Sequence, residues 1–147
     1  MTNINWARFF IGGLIASVIL FITDGMMHEM VLKSDWAAIY AGLTATPPQP
    51  HSSSMLYFAI FELGRGMVSM LIYVLMRPFY GAGPKTAIIA AVVGWLAFSV
   101  AGPAQYIPLA FISVPLWLKA AAIQLVATII GVLAGAALYK DRVASNG

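Results

Sequence analysis

Cysteine is absent from the 147 residues, and charge is scarce, with 8 Lys or Arg and 5 Asp or Glu. The first absence excludes disulfides, thiolate metal sites, iron–sulfur clusters and c-type haem attachment. The second excludes a water-soluble fold. A soluble domain is about 25% charged, whereas this chain is 9% charged. So few charges cannot cover the surface of a cytosolic enzyme or solvate a disordered chain. Nucleic-acid partners are excluded on the same ground. Catalytic motifs are missing too. Gly81-Ala82-Gly83 has neither the preceding strand nor the following glycine pattern of a phosphate-binding loop. No serine has a histidine and an acid at a recognisable spacing, and no zinc-protease motif occurs. Neither enzyme activity nor a cofactor is expected.

What the chain does have is apolar length. It is 61% hydrophobic, with a mean hydropathy of +0.89. Crossing the hydrocarbon core takes about 20 helical residues. Four runs qualify as spans, over 6–31, 54–76, 86–101 and 114–139, the third being short. The first run continues past the length of a signal peptide and has no small-residue cleavage site before Asp24 and His28, so it reads as an uncleaved span. Strands are excluded, because an open sheet edge is not viable in lipid and no run alternates like a barrel strand. The expectation is an all-α, integral membrane four-helix bundle, a single domain over residues 1–147.

The basic residues set orientation. With four spans, one side carries Arg8, Arg77, Lys85, Lys140 and Arg142, and the other carries Lys33 and Lys119. Five against two places both termini in the cytoplasm. In the first outer loop, Ser34 is positioned to cap a short helix over 35–43. Trp36, Ile39, Tyr40 and Leu43 share one face of it, as in a helix lying on the membrane surface. Thr46-Pro47-Pro48-Gln49-Pro50 then breaks the chain. Residues 77–85 read as a tight turn with interface anchors. The uncharged loop 102–113, with Pro103 and Pro108, can dip into the bilayer if protein or water satisfies its backbone.

Three stretches carry a resemblance: Ile4-Asn5-Trp6 with Arg8 and Gly12-Gly13, the turn Arg77-Pro78-Phe79-Tyr80-Gly81-Ala82-Gly83-Pro84-Lys85-Thr86-Ala87, and Ala137-Leu138-Tyr139-Lys140. Together they resemble a group of small four-span bacterial membrane proteins with a similar arginine-proline then glycine-proline-lysine-threonine turn. The resemblance covers most of the chain and implies a bacterial inner-membrane location. It implies no catalytic residue, because the group has no assigned activity.

Ionisable residues at membrane depth are costly and mark candidate sites. Glu62, Arg65, Ser69 and Tyr73 form one stripe of span two. Gly13, Ser17, Asp24 and His28 share a face of span one, and Gln124, Thr128, Gly131 and Gly135 a face of span four. At 1.5 Å per residue, Glu62 and Arg65 lie about 12 and 16 Å in from the outer side, while Asp24 and His28 lie about 24 and 30 Å along from the cytoplasm. The expectation is a polar cluster of Asp24, His28, Glu62, Arg65 and Gln124 in the outer half of the bundle. Glu29 and Lys119 point about 140° away from Asp24 and Gln124 and are expected at the outer interface, snorkelling or paired with each other.

The cluster admits three readings. As a structural ion-pair network, Arg65 neutralised by Glu62 and Asp24 orients the helices. As a proton or cation pathway, Asp24 or Glu62 titrates and His28 relays to the outer surface. As a metal or redox site, Asp24 and His28 at i, i+4 join Glu62, a weak ligand set. Haem needs an axial ligand, and His28 is the only histidine in a span. His51 lies in the outer loop. Met26, Met27 and Met30 around His28 suit Cu(I), although methionine is commonly a packing residue. Small residues at Gly13, Gly94, Gly131 and Gly135 mark close helix crossings, inside the bundle rather than against another subunit. The structural reading leads. The bilayer is the expected surrounding, with a second copy or a larger membrane complex as the possible protein partner.

Overall fold

The computed structural model describes residues 4–43 and 53–141. Helix α1 (Trp6–Met26) runs on through a π-helical segment, Met27–Val31. Next come α2 (Lys33–Leu43), α3 (Ser54–Tyr80) and α4 (Pro84–Trp95). A second π-helical segment, Leu96–Ala101, and the single turn α5 (Gly102–Ala104) extend α4. Helix α6 (Val114–Leu138) closes the bundle. No strand occurs among the described residues. Four rods are long and apolar enough to cross a membrane: Trp6–Val31, Ser54–Tyr80, Pro84–Ala104 and Val114–Leu138.

α1 packs on α3 and α6, and α4 packs on the same two, so the four rods form a square. Its interior is built of small residues, among them Ala16, Ala87, Ala90, Ala91 and Ala127, and its exterior of large apolar ones such as Phe10, Leu14, Ile22, Leu75 and Ile130. Water-soluble bundles are patterned the other way. A small-residue interior lets helices approach closely, and an apolar exterior suits a lipid solvent. The chain therefore has the build of a multi-pass membrane protein.

Glycine makes these approaches possible. A Cβ built on Gly12 would lie 2.7 Å from the Gly135 carbonyl oxygen, and one on Gly131 would lie 3.2 Å from the Ala16 oxygen. Gly13 meets the Met67 sulfur and Gly94 the Ser69 hydroxyl. Every expected packing glycine thus faces another helix of the same chain.

Several boundaries move. Span two runs to Tyr80 rather than 76, with Pro78, which has no N–H to donate, inside its last turn. Gly81 (φ 80°) ends the helix, donating its N–H to the Arg77 carbonyl at 2.9 Å. Pro84 opens α4, and the Thr86 hydroxyl donates to the Gly81 carbonyl at 2.8 Å, closing the turn. Span three is not short, since it continues through the π-helical segment to Ala104. Span four ends at Leu138 rather than 139, where Tyr139 turns extended.

α2 begins at Lys33, so Ser34 is not its cap. Leu32 alone separates α2 from the π-helical segment, and the Trp36 amide N–H donates to the Leu32 carbonyl at 3.0 Å. Trp36 and Ile39, expected to face the membrane surface, pack instead on Met27, Leu32 and Leu116 at the end of the bundle. Leu43's side chain, the 46–50 proline stretch, His51 and Arg142 lie outside the described residues.

Candidate functional site, a buried ion-pair network

The stripe read from α3 is buried as a unit. Glu62, Arg65, Ser69 and Tyr73 all face the interior. Arg65 is only 2% exposed, and its Nη1 donates to Glu62 Oε1 at 3.0 Å within its own helix. The same nitrogen lies 3.7 Å from Asp24 Oδ1 on α1. Gln124 Nε2 on α6 then donates to both Asp24 oxygens, at 3.0 and 3.3 Å. The network joins α1, α3 and α6.

Hydroxyls hold the backbone around it. Ser17 donates to the Gly13 and Leu63 carbonyls at 2.8 and 3.1 Å, tying α1 to α3 beside the cluster. Ser69 donates to the Arg65 carbonyl at 2.8 Å and Thr128 to the Gln124 carbonyl at 2.6 Å. Of the two glycines flanking Arg65, only Gly66 makes a crossing. A Cβ there would strike the backbone of Ser17, whereas Gly64 has nothing within 4 Å.

His28 lies in the π-helical segment, where the helix widens. Its Nε2 is 3.9 Å from Asp24 Oδ2. On the other side of the ring, the Trp36 indole Nε1–H donates to Nδ1 at 2.8 Å. All five residues expected in the cluster are brought together, in the order His28, Asp24, Arg65, Glu62, with Gln124 on Asp24.

Fully ionised, the two carboxylates outnumber Arg65 by one. Among the described residues, Glu62 Oε2, Arg65 Nε and Arg65 Nη2 are buried without a protein partner. Ser99 Oγ, in the other π-helical segment, is buried and unpartnered too. Gly94 lies against Ser69 and Phe98 against Phe61, so the antiparallel register puts Ser99 at the depth of Glu62. Neither of two small cavities, each about 100 Å³, touches the cluster. Both lie towards the end that carries Ile4, Ala82 and Asp141.

Other expectations change at this end of the molecule. Among the described residues no three His, Asp or Glu side chains converge as a metal site would require. The guanidinium sits between Glu62 and Asp24, and Trp36 occupies the imidazole Nδ1. Nor do the methionines converge on His28. Met27 is buried against Leu32 and Leu116, while Met26 and Met30 point outward. Glu29 and Lys119 do not pair. Lys119 reaches Asp35 of α2, at 3.0 and 3.1 Å, and Glu29 reaches Lys33 at 3.5 Å, because α2 packs on the bundle end through Trp36 and Ile39. Both pairs are largely exposed, so Lys119→Gln is expected to change stability by less than about 1 kcal/mol, measured by thermal unfolding in detergent.

A second polar group, which the sequence does not mark as a site, lies at the opposite end. Arg77 lies over the rings of Tyr73 and Tyr139, 5.7 and 4.8 Å from their centroids, and pairs with Asp141 at 3.0 Å. The Tyr73 to Arg77 spacing of i, i+4 carried that signal, but the partners Tyr139 and Asp141 come from the other end of the chain. Comparison with protein-family models, with curated proteins and with solved structures finds no match.

Proposed function

We propose that this is a small structural or accessory protein of a bacterial inner membrane, in which the Asp24–Arg65–Glu62 network fixes the register of α1, α3 and α6. The observation that supports it is Arg65: a guanidinium 2% exposed, held between carboxylates of two helices. Such a charge is tolerated in an apolar interior only while its partners are in place. Both termini lie in the cytoplasm in this reading, by the excess of Arg and Lys at that end, which puts the ion-pair network in the outer half of the bilayer. α2 then rests at the outer interface. In this reading the chain is a relative of the small four-span bacterial group described above, which it resembles in its opening stretch, its Arg77–Ala87 turn and the end of its last span. Its partner is a second copy or a larger membrane complex.

One observation favours a rival reading as a proton- or cation-coupled transporter. Side-chain exposure falls from 35% at His28 to 16% at Asp24 and 3% at Glu62, a graded path of titratable groups. The two readings separate in proteoliposomes. The structural reading expects wild-type vesicles to hold an imposed pH gradient as long as empty ones. It also expects the apolar triple variant Asp24→Leu, Glu62→Leu, Arg65→Met to accumulate normally in membranes, since replacing a whole buried network is often neutral. Dissipation of the gradient by wild type, stopped by Glu62→Gln at unchanged abundance, overturns it.

A further inference from the structure

The bond between Trp36 and His28 has a chemical condition. Indole Nε1–H can only donate, so the His28 Nδ1 that receives it at 2.8 Å must be bare. The imidazole bonded in this way is neutral, with its one hydrogen on Nε2, the nitrogen that faces Asp24 at 3.9 Å. A protonated imidazole is a donor at both nitrogens. It would set N–H against N–H at Trp36 and an ammonium-like N–H against the Asp24 carboxylate. Two neighbours thus ask for opposite states of one ring.

The surroundings fix what the ring answers to. On its own helix are Asp24 and Glu29, the latter paired with Lys33 at the start of α2. α2 also contributes Asp35, paired with Lys119 of α6. From α3 come Glu62 and Arg65, and from α6 Gln124, all reached through Asp24. Glu29 and Asp35 each have a cation of their own, whereas Asp24 belongs to the set in which carboxylates exceed guanidinium by one. Nothing else ties α2 to the π-helical segment by a side-chain hydrogen bond among the described residues. The remaining attachments are the exposed Glu29–Lys33 and Asp35–Lys119 ion pairs, the Trp36 amide bond to the Leu32 carbonyl and apolar packing of Trp36 and Ile39.

We propose that His28 is a proton-binding site at this end of the bundle, and that α2 reports its occupancy through Trp36. With the site empty, Trp36 is bonded and α2 is pinned to the end of α1. When a proton enters at Nδ1, the charge is taken up by Asp24, the indole loses its acceptor and α2 loosens. The result is a sensor of the pH on that side of the membrane, since histidine is the side chain that changes charge between pH 5 and 8. It does not depend on whether the ion-pair network conducts, because the Trp36 bond lies outside that network. The attachment is present on the alkaline side and lost as pH falls.

The test uses the full chain in phospholipid nanodiscs with labelled tryptophan, whose 4 indole N–H signals are followed by NMR from pH 8 to 5. The Trp36 signal, assigned by its loss in Trp36→Phe, is expected to move. Backbone protection of α2 is expected to fall about fivefold, the weight of one ordinary hydrogen bond. In His28→Gln an amide oxygen accepts at every pH, so both responses are expected to be flat, while Glu29→Gln keeps both. Trp36→Phe is expected to make α2 protection pH-independent, which tests the idea even if His28→Gln fails to fold. The proposal is overturned by a Trp36 signal that stays fixed in wild type, that still moves in His28→Gln, or that moves without any change in α2 protection.

Discussion

Arg65→Leu is expected to destabilise the bundle by about 3–5 kcal/mol, the usual penalty for stripping one partner from a buried ion pair. The leucine is compatible with the apolar surroundings, and the damage comes from what remains. Glu62 is 2% exposed and keeps one oxygen already without a partner. Asp24 keeps only Gln124 and the more distant His28. Two carboxylates then face each other in a low-dielectric interior. Thermal unfolding in mild detergent measures the loss. A second-site test identifies its origin: adding Glu62→Leu and Asp24→Leu to Arg65→Leu is expected to recover most of the stability, because no buried charge is left. If the triple variant is no more stable than Arg65→Leu, the penalty comes from lost packing of the arginine stem rather than from uncompensated charge.

Gly66→Ala is the other substitution with a large expected effect, and Gly64→Ala is its control. The added methyl at Gly66 would sit 2.5 Å from the Ser17 amide nitrogen and 2.7 Å from its Cα. Those are backbone atoms of α1, which cannot rotate away as a side chain does. α1 and α3 must separate, which breaks the Ser17 bond to the Leu63 carbonyl and lengthens the Arg65–Asp24 approach. Overpacking of this kind costs about 3 kcal/mol, at the upper end of its usual range. At Gly64 the same methyl meets nothing within 4 Å. There the only change is helix propensity, and Gly64→Ala is expected to be neutral or stabilising by up to about 1 kcal/mol. Equal losses at the two positions would mean that the α1–α3 crossing is not where this structure places it.

The two glycines show the limit of reading one dimension. Gly64 and Gly66 flank the same arginine, and spacing along α3 does not reveal which of them meets α1. That depends on the rotation of α3 about its own axis, which the neighbouring helices set. The Arg77 group shows the same limit. Tyr73 and Arg77 are readable as neighbours one turn apart, but Tyr139 and Asp141 are separated from them by more than 60 residues of chain. The π-helical segments at Met27–Val31 and Leu96–Ala101 have no periodic signature at all.

What the sequence determined by itself was the solvent, the element type and the contents of the cluster. Apolar runs of membrane length with 9% charge leave no other solvent and no other element, and helical spacing alone aligns Glu62, Arg65, Ser69 and Tyr73. Scarcity made the cluster legible: a handful of ionisable groups at one depth in an apolar interior have few partners except each other. Tertiary structure decided the pairings at the bundle end. Lys119 meets Asp35 and not Glu29, and Trp36 turns from the expected membrane surface onto His28, because the chain bends at one residue, Leu32, and α2 packs on the π-helical segment and the start of α6. A periodicity of 3.6 residues specifies which side chains share a face. It carries no information on the angle at which the next helix departs, and that angle chose the partners of His28 and Lys119.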